Sequence, residues 1–132
     1  MARMLFVNLP VLEIDRSVEF FTRLGFEFDQ RFTDERATCM VVGTQAFVML
    51  LVRPFFASFT SKDVVDAARS TEAVLSVSAA SREEVDALVD RALELGGTFS
   101  NHPSDEGFMY GRSFFDLDGH AWEVMWMDPA AA

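Results

Sequence analysis

A carboxylate, Glu123, stands inside the apolar run Ala121–Met127, among Trp122, Val124, Met125 and Trp126. Strand alternation puts Glu123 on one face with Ala121 and Met125, and both tryptophans on the other. If that face is concave and apolar, lost hydration raises the carboxyl pKa, as a general base requires. A second group is Tyr110 and Arg112 in the segment Gly107–Arg112. Tyr110 is the only tyrosine of the chain, and Arg112 shares its face if the strand is regular. A tyrosine hydroxyl can donate to a carbonyl, and a guanidinium can clamp a carboxylate bidentately. Gly107 and Gly111 flank the pair and would permit hinging or the close approach of a ligand. Structural readings stand beside these: Glu123 paired with Arg112 or another arginine, and Tyr110 packed with Arg112 exposed. Met49, Met109, Met125 and Met127 fit either core or the lining of an adaptable pocket.

Other chemistries find no support. The chain has no glycine-rich phosphate loop and no G-x-S-x-G nucleophile elbow. Its one cysteine, Cys39, lies in an apolar run and reads as a small core residue, with no histidine placed beside it. Lys62, the sole lysine, sits in a charged connector, poorly suited to Schiff-base chemistry. His102 and His120 occupy a loop and a turn.

The 132 residues carry 21 Asp and Glu against 11 Lys and Arg, a net charge of −10. So acidic a surface repels phosphate backbones and anionic bilayers, which argues against nucleic-acid and membrane partners. The opening MARMLFVNLP lacks the pattern of a signal peptide, and the longest apolar stretch, Ala46–Val52, is far too short to span a bilayer. The expectation is a cytoplasmic chain.

Positioning these residues requires elements, and the same order of elements occurs twice. Repeat one has a strand over Met4–Val11, a helix over Arg16–Leu24 capped by Asp15, and Gly25 as its stop. Strands follow over Phe26–Phe32, Thr38–Val42 and Ala46–Val52, the last two joined by Gly43-Thr44-Gln45. Repeat two has a strand over Ala73–Ala79 and a helix over Arg82–Leu95, with Ser81 and Glu84 as a capping box. Gly96-Gly97 ends that helix. Strands follow over Thr98–Ser100, Gly111–Phe115 and Ala121–Met127, with the turn Asp116-Leu117-Asp118-Gly119 before the last. The connector carries Phe55, Phe56 and Phe59 and a helix-like piece, Lys62–Ala68, capped by Thr60 or Ser61. The chain therefore reads as one α+β domain of two β-α-β-β-β repeats. Repeat one spans about residues 1–55, the connector about 56–71 and repeat two about 72–128.

Two stretches carry a family resemblance. "VNLPVLEIDRSVEFFTRLGF" resembles the opening signature of the vicinal oxygen chelate superfamily, the glyoxalase, bleomycin-resistance and extradiol-dioxygenase proteins. "FFDLDGHAWEVMW" resembles its closing signature, through Asp116, Asp118, Gly119 and Glu123, with Leu117 in place of the usual proline. The resemblance implies that each repeat curls into half of an open, mixed, barrel-like sheet enclosing a small-molecule cavity. The halves pair within one chain or across a homodimer. A divalent metal often sits in such a cavity, held by side chains from the first and last strand of each half.

In this chain those positions fall on Phe6, Met49, Val74 and Glu123. A ring, a thioether and an isopropyl group give a hard divalent ion no suitable donor. A two-residue slip keeps the face and offers Asn8, Ser76 or Ser78 instead, a set still without histidine. No cofactor is expected, with Glu123 the one suitable ligand and Asn8 a weak second. The resemblance thus implies a glyoxalase- or bleomycin-resistance-like protein with an incomplete metal site. If it is a lyase or isomerase, the chemistry is proton transfer next to a carbonyl, with Glu123 as base and Tyr110 or Arg112 steadying the oxyanion. The alternatives are a non-enzymatic protein that sequesters an apolar or aromatic compound, and a metal-dependent lyase or dioxygenase whose ligands lie in another register.

Overall fold

The computed structural model describes residues 2–131, and the chain forms two compact units, Met1–Val64 and Val65–Ala132. Their boundary falls inside the connector. Each unit is one mixed sheet with a helix against one face, and the two repeats share four matching strands, the second unit having one more.

In the first unit, β1 (Leu5–Val11) pairs in parallel with β4 (Ala46–Val52), which pairs antiparallel with β3 (Ala37–Gly43), and β3 with β2 (Glu27–Asp29). The sheet order is β1-β4-β3-β2. Pro10 is tolerated because β1 is an edge strand, where a missing N–H need not break a ladder. Helix α1 (Ile14–Arg23) packs on the sheet through Ile14, Ser17, Phe20 and Phe21. These meet the face carrying Leu9, Val11, Met40, Val48 and Leu50, all buried. The opposite face carries Phe6, Asn8, Phe47, Met49 and Leu51.

The second unit repeats this plan with β5 (Val74–Ser78), α3 (Arg82–Glu94), β6 (Thr98–Phe99), β8 (Met109–Phe115) and β9 (Ala121–Met127) in the order β5-β9-β8-β6. A two-residue strand, β7 (Ser104–Asp105), is added on β8. Val85, Val89 and Ala92 of α3 are buried over β8 and β9, where Phe114, Trp122 and Val124 are buried in turn. The expected capping box is present in outline. Ser81 Oγ accepts from the Glu84 N–H at 3.1 Å, while Glu84 Oε2 accepts from the N–H of Ala80, one residue earlier than the usual partner.

Four local expectations need correction. Helix α1 begins at Ile14, its N-cap is Glu13 with no side-chain cap, and Asp15 lies in its first turn. The strand expected over Phe26–Phe32 stops at Asp29, whose carboxylate accepts from the Arg31 N–H and guanidinium, and Gln30–Phe32 forms a 3-10 turn. The connector is helical at α2 (Arg53–Ala57) rather than over Lys62–Ala68. Strand β8 starts two residues earlier than expected and so takes in Tyr110. Among the described residues, no helix is long and apolar enough to cross a membrane.

Candidate functional site

The register of β8 on β9 decides which candidates share a face. Phe115 lies opposite Ala121, Ser113 opposite Glu123 and Gly111 opposite Met125. On β5, Ser76 lies opposite Glu123 and Ser78 opposite Met125. The face away from α3 therefore carries Glu123 with Ser76, Ser78, Gly111, Ser113 and Met125. Ser76 Oγ donates to Glu123 Oε1 at 2.9 Å. Oε2 has no hydrogen-bond or ionic partner among the described residues, and a Cβ built on Gly111 would lie 3.8 Å from it. Gly111 itself is buried. Glu123 itself is half-buried.

Tyr110 and Arg112 lie opposite Trp126 and Val124, on the face toward α3. The Tyr110 hydroxyl donates to Asp86 Oδ1 at 2.6 Å. The Arg112 guanidinium donates to Asp86 at 3.1 Å and Asp90 at 2.8 Å. The hydrogen bond from Tyr110 is the main cause that holds the Asp86 carboxyl below the ordinary carboxylate range. The same bond pushes the Tyr110 hydroxyl above its ordinary value. Partial burial pulls the Arg112 guanidinium down, and its hydrogen bonds to Asp90 and Asp86 more than offset this. The structure therefore does not bring Tyr110 and Arg112 together with Glu123. Nor is Glu123 the partner of Arg112, the structural alternative raised by the sequence.

Arg82, at the start of α3, extends this outer network. It makes a bidentate pair with Asp105 at 2.9 Å, donates to the Gly107 carbonyl, and lies 5.0 Å from the Tyr110 ring and 5.1 Å from the Trp126 ring. This pair and the Gly107 N–H bring the Asp105 carboxyl down to about 2. Arg82, Asp86, Asp90 and Asp105 carried no signal in the sequence, since each looked like an ordinary solvated charge.

The turn before β9 is built on Asp116. Its buried carboxylate accepts from the backbone N–H groups of Asp118 and His120 and from the indole of Trp122 at 2.9–3.0 Å. His120 and Asp118 belong to this turn.

In the first unit, the strands that match β5 and β9 pair Asn8 with Met49 and Phe6 with Phe47, whose rings stack at 5.0 Å. The strand positions considered for a metal thus offer Asn8 and Met49 in one unit and Ser76 and Glu123 in the other. Taken unit by unit, neither an amide with a thioether nor a hydroxyl with one carboxylate already hydrogen-bonded to it is a good donor set for a divalent transition metal. Among the described residues, no group of three or more His, Cys, Asp or Glu side chains could hold a metal ion. These donors do not fit a divalent ion of the kind the fold often carries.

Comparison with known proteins agrees with the fold. Residues 3–124 match the model of the Glyoxalase/Bleomycin resistance protein/Dioxygenase superfamily. None of the curated proteins matches the chain. Among solved structures, a hypothetical protein from S. aureus superposes with a TM-score of 0.81 at 27% identity, over 96% of this chain and 95% of that one. A glyoxalase/bleomycin resistance protein/dioxygenase family enzyme from Burkholderia phytofirmans PsJN gives 0.78 at 16% identity, over 96% and 99%. A genomically encoded fosfomycin resistance protein from Listeria monocytogenes gives 0.66 at 15%, over 96% and 93%. At these lower identities the likeness is one of fold.

Proposed function

We propose that this chain, which belongs to the Glyoxalase/Bleomycin resistance protein/Dioxygenase superfamily, binds an apolar or aromatic small molecule without transforming it, and that Glu123 is the polar anchor. The observation that carries this reading is the separation of Glu123 from Tyr110 and Arg112 across the sheet. Proton transfer next to a carbonyl needs a base and a group that stabilises the oxyanion as it forms. The two groups suited to the second task are engaged by Asp86 and Asp90. The Glu123 face carries a carboxylate with one unpartnered oxygen, three serines and the apolar Val74, Met109, Phe115, Met125 and Met127, a surface suited to orienting a ligand through one polar contact.

The donor set also supports a function that needs no divalent metal. The proposal includes a homodimer in the cytoplasm, and light scattering would then give the mass of two chains.

A turnover test separates binding from catalysis. Wild-type protein is incubated with 2-oxoaldehyde adducts and with aromatic carbonyl compounds, and the mixture is analysed by mass. Compounds that bind are expected back unchanged in stoichiometric amount. Steady turnover that disappears in Glu123→Gln would instead establish Glu123 as a general base.

A further inference from the structure

We propose that the thioethers of Met109, Met125 and Met127 form a site for a soft monovalent metal ion, copper(I). This goes beyond the binding reading above and does not depend on it. The register sets the cluster. Met109 lies directly opposite Met127, and Met125 opposite Gly111, so all three side chains leave the same face of β8 and β9. On one face of an antiparallel pair, opposed Cβ atoms are about 5 Å apart and diagonal neighbours about 7–8 Å. An unbranched methionine arm with three rotatable bonds spans such gaps, so three sulfurs can meet at one ion. Gly111 keeps the ground between them free of a side chain, since a Cβ built there would lie 3.7 Å from the Met125 Cβ. Exposure separates these methionines from the core. Met40 is fully buried, whereas Met127 is 43% exposed and Met109 and Met125 are half-buried, so an ion can reach the sulfurs from solvent. The softness that makes a thioether a poor donor for a hard divalent ion suits it to copper(I). Glu123, on the same face two residues before Met125, places a negative charge near a monovalent cation.

The test titrates the full chain, first dialysed against a chelator, into copper(I) bicinchoninate under anaerobic reducing conditions, where the colour fades as the ion is withdrawn. Wild type is expected to withdraw one ion per chain. Cys39→Ala, which removes the chain's one thiol, buried in the first unit, is expected to withdraw as much. Met125→Leu and Met127→Leu keep the apolar volume, and each is expected to weaken uptake at least ten-fold. Met4→Leu changes an exposed methionine outside the cluster and is expected to leave uptake as it was. A second measurement needs no variant. Silver(I), a redox-inert stand-in, is added to wild type with isotope-labelled methionine methyls. It should move the NMR signals of Met109, Met125 and Met127 together and leave those of Met4 and Met40 in place. No withdrawal by wild type would overturn the inference. So would withdrawal that Cys39→Ala abolishes, or that both leucine variants keep in full. Such a failure leaves the binding reading standing, because no organic ligand enters the test.

Discussion

The Tyr110 hydroxyl donates a hydrogen bond to Asp86 Oδ1 at 2.6 Å, and this bond ties β8 to helix α3 on the side of the sheet away from Glu123. Tyr110 and Arg112 therefore act as braces between sheet and helix. Tyr110→Phe is expected to lower unfolding free energy by about 1 kcal/mol, the scale of a partly exposed hydrogen bond to a charged acceptor. Arg112→Met should cost a similar amount. Urea denaturation checks both. Ligand affinity should stay within about two-fold of wild type in either variant, and a loss of ten-fold or more would place these residues in the binding site.

Metal removal is expected to change little. Dialysis against a chelator should leave the melting temperature and ligand affinity as they were, and added Zn, Ni or Mn ions should not raise the melting temperature. An ion that binds only the folded state at a hundred times its Kd would add about 2.7 kcal/mol, which differential scanning calorimetry would detect.

The Arg82–Asp105 pair gives a pH dependence of known sign. The folded pKa of Asp105, about 2, lies below its ordinary value of 3.8. The unfolded chain therefore binds the proton more readily in that interval. The stabilisation by the pair is full above about pH 4 and is lost as the pH falls toward 2. Asp105→Asn should flatten this part of the acid limb. In hydrogen exchange at neutral pH, it should also speed exchange of the Gly107 amide, which now donates to Asp105 at 2.9 Å.

Glycine positions separate tight packing from open space. Gly119 has φ +89°, and a Cβ there would fall 2.7 Å from the Ala67 carbonyl oxygen. Gly119→Ala should therefore destabilise by more than 1 kcal/mol, since both conformation and contact oppose it. Gly43 has neither constraint, and Gly43→Ala should be neutral or stabilising by up to about 1 kcal/mol. Thermal melts of the two variants make the comparison.

Much of the fold was legible in the chain. The strands Ala46–Val52 and Ala121–Met127 agree residue for residue with the structure. Alternation within β9 correctly set Glu123 against the tryptophans, because successive side chains of an unbroken seven-residue strand point to opposite faces. What alternation within single strands lacked was the register between them. That register follows from the turn length, set where Asp116 accepts from the Gly119 N–H and donates its own to the His120 carbonyl. Once Phe115 meets Ala121, parity sends Tyr110 and Arg112 to the tryptophan face.

The connector misled for a different reason. Thr60 looks like a helix cap, but its Oγ1 accepts from the Lys62 N–H, and within the expected helix Asp66 Oδ1 accepts from the Ala68 N–H, each two residues on. Such local bonds compete with a helix instead of starting one. The helix that does form begins at Arg53 with Pro54 in its first turn, a placement proline favours.

The proposed function requires ligand to meet the Glu123 face and not the Tyr110 face of the same sheet. Two NMR reporters separate them: the Met125 methyl group beside Glu123, and the Trp126 indole N–H, whose ring lies beside Arg82. Titration of the labelled wild-type chain with 1-naphthylmethylamine should move the Met125 methyl signal saturably and leave the Trp126 indole signal in place. Movement of Trp126 with Met125 unchanged would put the ligand on the Tyr110 face and refute the proposed function.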